Sequence, residues 1–211
     1  MKKLVFMVFA AIFGFSFAFG AEFCEICGMN LEHHKKSSHE LIDGEANHGD
    51  ESHTCSLHCA FEKSGKSMDI SKYKGFDNVS GEFRSITDLF YVIGSSKKSA
   101  MTSESEFAFS TRAEAEKFAK ENGGRIIEGK EILEYESKKF DADSKMIKQN
   151  RAKMALTGKK IAEEYCEVEA LEKLAKDSSN VAIFKTKAKG HCKNIDGKGL
   201  HAVSIYFWDK R

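Results

Sequence analysis

Hydrophobic and polar positions change rhythm twice along the chain. Between residues 88 and 129 the pattern is sharp. "DLFYVIG" (88–94) is rich in β-branched and aromatic residues and predicts a strand, and "EFAFS" (106–110) predicts a second one after a polar loop. "TRAEAEKFAKENGG" (111–124) predicts a helix, capped by Thr111 with Glu114 three residues on and stopped at Asn122-Gly123-Gly124. "RIIEG" (125–129) returns as a strand, which completes a β-β-α-β unit. Residues 38–86 carry a fainter copy of the same order. "SHELIDG" (38–44) predicts a strand, "NHGDESHT" (47–54) a turn, "CSLHCAFEKSG" (55–65) a short helix and "FRSI" (83–86) a returning strand. Two such halves predict an α+β fold, a small sandwich.

Beyond Glu134 the rhythm becomes helical. Residues 137–177 are dominated by Lys, Glu, Ala and Asp and predict two or three helices, with Gly158 as a break. The ending "LHAVSIYFWDK" (200–210) predicts a packed helix or a strand. The expected organisation is a metal-binding unit over 21–136 and a mostly helical C-terminal appendage over 137–211.

The first residues set the compartment. Met1-Lys2-Lys3 is a basic start, residues 4–19 are apolar, and Ala18 and Gly20 precede a cut before Ala21. Residues 1–20 therefore predict a cleavable secretory signal peptide and a periplasmic protein. The competing reading is an uncleaved anchor, for which the run is short. "GAEF" (20–23) before Cys24 lacks the small residues of a lipidation site, so no clear membrane anchor is expected. In 211 residues, 31% are charged, yet the formal net charge is +1. That balance gives no electrostatic case for a nucleic-acid partner.

Export makes disulfides the default reading of six cysteines. Spacing offers another. Cys24 and Cys27 form C-x-x-C, and Cys55, His58 and Cys59 fall on one face of the predicted helix. Two thiol pairs about 30 residues apart outline a four-sulfur metal site. Met29 adds a thioether, and soft sulfur ligands select Cu(I), whereas zinc accepts the cysteines alone. Six histidines (His33, His34, His39, His48, His53, His58) crowd this region, and His58 is the first candidate ligand among them because it lies between two cysteines. Structural zinc, two structural disulfides and a thiol-disulfide oxidoreductase all remain open. No general-base constellation or phosphate loop supports an enzyme.

"CEICGM" (24–29) resembles the C-x-x-C-G-M signature of the NosL family, accessory proteins of nitrous oxide reductase. "LFYVIGSSKKSAMTSESEFAFSTRAEAEKFAKENGGRII" (89–127) is similar to that family's strand, methionine-bearing loop, phenylalanine-rich strand and helix. The resemblance covers residues 23–133. It implies a non-enzymatic periplasmic Cu(I) metallochaperone that hands copper to the multinuclear site of nitrous oxide reductase, with a copper-donating membrane protein as a further candidate partner. It also places the family's loop methionine on Met101. The expected core is Cys24 or Cys27 with Met101, with Met29, Cys55, His58 and Cys59 as auxiliary or transfer ligands. Family members are commonly lipoproteins, and the tail has no family counterpart. "MALTGKKIAEEYC" (154–166) faintly resembles a c-type cytochrome helix. However, "EVEA" follows Cys166 with no second cysteine or histidine, which excludes covalent haem by the C-x-x-C-H route. Cys166 and Cys192 are read as a disulfide, and the tail as a possible docking module.

Overall fold

The computed structural model describes residues 22–42 and 52–211. The expected signal peptide (1–20), most of the expected turn at 47–54 and His48 lie outside the described residues. Seven strands and six α-helices follow in the order β1 (His39–Leu41), β2 (Ser52–Thr54), α1 (Leu57–Lys63), β3 (Tyr73–Phe76), β4 (Phe83–Ser85), β5 (Phe90–Ile93), β6 (Glu106–Phe109), α2 (Arg112–Asn122), β7 (Arg125–Glu128), α3 (Ile132–Tyr165), α4 (Val168–Asp177), α5 (Val181–Ala188) and α6 (Gly197–Lys210). The class is α+β.

Two small antiparallel sheets carry the first part, ordered β2-β1-β3-β4 and β6-β5-β7. The second half keeps the β-β-α-β order, and Thr111 accepts from the Glu114 amide to cap α2. The first half returns through β3, and "FRSI" adds β4 at the sheet edge. The short "YKGF" of β3 gives no strand signal because Gly75 interrupts it. A Cβ there would lie 2.6 Å from the Tyr91 hydroxyl, so the glycine is needed for close approach to β5.

Side-chain alternation on β5 separates two cores. Tyr91 and Ile93 face the central core with Leu57, Phe61 and Ile86, while Val92 faces Phe107, Phe109 and Ala115 beneath α2. Asp77 joins the halves. It bridges in parallel to Ala108 and accepts from the amides of Val79 and Ser110 at 2.9 and 2.8 Å.

The helical region departs from expectation at Gly158. Helix α3 runs unbroken through it for 34 residues. A Cβ at Gly158 would sit 2.0 Å from the Ala202 carbonyl oxygen, so this glycine marks where α6 crosses α3 backbone to backbone. "LHAVSIYFWDK" is helical, within α6. A second core, with Leu171, Phe184, Val203 and Phe207, holds α3 to α6 together. Cys166 and Cys192 are bonded at 2.09 Å. Helix α3 serves both cores, since its Ile132 and Phe140 belong to the central one and its Ala162 to the second. No described helix is long and apolar enough to cross a membrane.

Candidate metal centre

The turn at Cys24–Met29 is closed by its own backbone. The Gly28 amide donates to the Cys24 carbonyl and the Cys24 amide to the Met29 carbonyl, each at 2.8 Å. Gly28 adopts φ +73°, which an L side chain rarely tolerates, so the glycine of C-x-x-C-G is what lets the turn close. Opposite it, Ser56 caps α1 by accepting from the Cys59 amide at 3.2 Å. This sets Cys55 just before the helix and Cys59 in its first turn.

The four sulfurs therefore converge. Their Sγ atoms all lie within 4.8 Å of one another, and all four residues are buried with free thiols. Cys27 and Cys55 approach to 3.3 Å, Cys55 and Cys59 to 3.8 Å. A tetrahedral site with metal–sulfur bonds of about 2.3 Å has sulfur–sulfur edges of about 3.8 Å, close to these separations. Among the described residues this is the one group of three or more His, Cys, Asp or Glu side chains whose ligand atoms converge.

The clustered thiols shift one another's ionisation in opposite directions. Burial opposes ionisation of Cys24, but hydrogen bonds from the thiols of Cys27, Cys55 and Cys59 outweigh it and hold Cys24 well below an ordinary thiol. Hydrogen bonding with Cys24 and Cys27, together with burial, pushes Cys55 and Cys59 well above it. Cys24 is thus the thiol that ionises most readily, and thiols give up protons as they ligate a soft cation.

Both methionines pack against the cluster from different sides. Met101 lines a cleft of about 590 Å³ with Cys27, Cys59, Arg151 and Trp208. Met29 lines a cavity of about 890 Å³ with Met154, His34 and His201. Asp143 of α3 fixes the Met101 loop by accepting from the Ser103 amide at 3.2 Å, and Tyr135 donates to Glu104 of the same loop at 3.1 Å.

The histidines stand outside the four-sulfur group. His58 borders the cleft with Cys27, Cys59 and Met101, with both ring nitrogens engaged: Nδ1 meets Glu136 Oε1 at 3.1 Å, Nε2 meets the Ser144 hydroxyl at 3.5 Å, and the ring stacks on Phe140. The helix that carries Cys59 toward the sulfurs turns its neighbour toward α3. His39 is buried against the Tyr91 hydroxyl at 3.1 Å, and His53 lies against Phe83. His33 and His34 border the larger cavity.

Sequence reasoning missed Lys185. Its Nζ donates to the Gly28 carbonyl at 2.8 Å, on the turn that carries two of the cysteines. Nothing in "FKTKAKG" (184–190) distinguishes it from the exposed lysines around it.

Comparison with known proteins finds one family. A family model described as NosL matches residues 19–136. No curated protein matches the chain. Among solved structures, the crystal structure of the copper chaperone NosL from Shewanella denitrificans is similar at 20% identity and a TM-score of 0.38, over 52% of this chain and 87% of that one. The family model spans more than half of the 211 residues and ends early in α3. The chain belongs to the NosL family.

Proposed function

We propose that this protein is an exported, non-enzymatic metallochaperone that carries Cu(I) on Cys24, Cys27, Cys55 and Cys59, with Met101 at the exchange face and Met29 behind it. The observation that carries this reading is the convergence of four buried, unbridged thiols beside a methionine-lined cleft. Thiolate and thioether donors favour Cu(I) over harder ions. The copper chaperone named among the solved structures points the same way only as a likeness of fold family.

Delivery follows from the cleft. Cys27, Cys59 and Met101 border it, whereas Cys24 and Cys55 do not. A soft ligand of the recipient enters there and attacks the metal. Met101 would leave first as a neutral donor, then Cys59 and Cys27 and last Cys24 and Cys55, each displaced by a donor of the recipient, so the ion is never free. Nitrous oxide reductase is the recipient implied by family membership, and a copper-donating membrane protein the source. Residues 1–20 serve as the cleaved export signal, and residues 21–136 and 137–211 as the two units of the mature chain. His58 acts by positioning α1 rather than as a ligand.

The test is anaerobic Cu(I) titration of reduced protein against a chromogenic chelator, with and without Met101→Ala. Tight binding that weakens in acid and in the variant is expected. Unchanged affinity in Met101→Ala removes Met101 from the site.

Structural zinc is the second reading, favoured by the near-tetrahedral sulfur spacing. Elemental analysis of anaerobically prepared protein separates the two. Stoichiometric zinc that Cu(I) fails to displace favours the structural role.

A further inference from the structure

Lys185 is buried more deeply than a lysine ordinarily is, at 2% exposure. Its ammonium contacts the Gly28 carbonyl at 2.8 Å, His201 Nδ1 at 3.4 Å and the Phe23 ring at 4.2 Å from its centroid. Among the described residues no carboxylate lies within ion-pair distance of it. Glu22, the acid that borders the same cavity beside it, is engaged by Lys189. Buried charges are normally paired, because an uncompensated ion in the interior costs several kcal/mol. Burial accordingly holds Lys185 down to about 8.

The anion that would compensate it lies on the other side of Gly28. Four thiolates outweigh the charge of either a monovalent or a divalent cation, so a loaded four-sulfur cluster is net negative. We propose that Lys185 is the counter-charge of the loaded metal site, supplied by the helical unit that the family match does not include. This rests on the metal-binding reading above. Three further cations border the cleft with Cys27: Arg151 shares its charge with Asp209, and Lys148 and Arg211 are exposed, where solvent screens them. Lys185 therefore carries most of the effect. The same contact clamps the Gly28 turn, so the helical unit acts on the ligands by charge and by position together.

Three substitutions separate those contributions. Lys185→Arg keeps charge and donor, Lys185→Gln keeps a donor only, and Lys185→Met keeps neither. Cu(I) and Zn(II) affinities are measured by chelator competition, and unfolding of the metal-free protein by denaturant. Lys185→Met and Lys185→Gln are each expected to weaken metal binding about 10- to 100-fold, the range for residues that support ligands. Lys185→Arg should stay near wild type. The metal-free Lys185→Met protein should be as stable as wild type or more so, since an unpaired buried charge has gone. That pairing of a weaker site with an undamaged fold is what a merely structural lysine would not produce. Wild-type affinity in Lys185→Gln overturns the charge role. So does a destabilised Lys185→Met protein with unchanged affinity. If Lys185→Arg does not fold, the Gln and Met variants still decide. Wild-type protein that binds zinc but not copper sinks the copper reading while the Zn(II) affinities continue to test Lys185. Protein that binds neither sinks both.

Discussion

His58 Nδ1 and Glu136 Oε1 meet at 3.1 Å across 78 residues of sequence, with both side chains buried. The contact ties α1, which carries Cys59, to α3. Removing one partner of a buried polar pair costs about 3 kcal/mol, because the other is left without compensation. Glu136→Ala should therefore lower the unfolding free energy by about that amount. His58→Ala should lower stability too but leave the Cu(I) stoichiometry unchanged. Loss of one bound equivalent in His58→Ala would return the imidazole to the ligand set.

Gly158→Ala tests the helix crossing. Alanine ordinarily stabilises a helix by about 1 kcal/mol over glycine. Here its Cβ would meet the Ala202 carbonyl, which is backbone and cannot turn aside. Chemical denaturation should show a net loss of about 2 kcal/mol as α3 and α6 are forced apart. A gain in stability would mean that the two helices do not pack so closely.

Asp77 predicts a limb of the acid-stability curve. Burial opposes its charge, but hydrogen bonds from the Val79 amide, Ser80 and the Ser110 amide outweigh it and hold the carboxyl down to about 2. The folded value lies below the unfolded one, so its stabilisation is present above pH ~4 and is lost as pH falls toward ~2. The contribution is about 2 kcal/mol. In Asp77→Asn the unfolding free energy should drop at neutral pH, and its slope between pH ~4 and ~2 should flatten. An unaltered slope would assign the acid limb to other carboxyls.

The Cys166–Cys192 bond encloses Lys185. By the loop-closure model a bridge across 26 residues contributes about 3.5 kcal/mol. The double variant Cys166→Ser/Cys192→Ser should lose stability of that order, and its Cu(I) affinity should fall with it, because α5 no longer holds Lys185 against Gly28 as firmly. Full affinity in that variant would show that the core around Phe184 suffices to place α5.

The parts of the fold that were legible in the sequence are those in which pattern and packing coincide. β5 reads as a continuous β-branched and aromatic run because both of its faces meet a core, and α2 carries its own cap and stop. The cysteine pairs were legible because their spacing is fixed by a turn and a helix start, both local structures. Gly75 and Gly158 were not. A glycine reads as a break, and only the neighbour that approaches it (Tyr91 or Ala202) shows that it permits contact instead. The surroundings of His58 were illegible for a related reason. Its place between Cys55 and Cys59 suggested a ligand, but no local pattern shows that α3 brings Glu136 and Ser144 to its two ring nitrogens. Lys185 was invisible, since burial of one lysine among several is a property of tertiary packing alone.

Helix α3 also bears on how this protein can be divided. The family match ends at residue 136, yet Lys139 neutralises Glu106 and approaches Glu136 and Asp143 at 3.4 and 3.2 Å, and Phe140 fills the central core. A fragment truncated at the edge of the match would keep Glu106 and Glu136 but discard their cation. It would also open a hole beneath Phe61 and release the Met101 loop from Asp143. An autonomous N-terminal piece has to retain two further turns of α3, through about Ser144. The stretch that anchors the following helices is the same one that completes the core beneath the metal-binding turn.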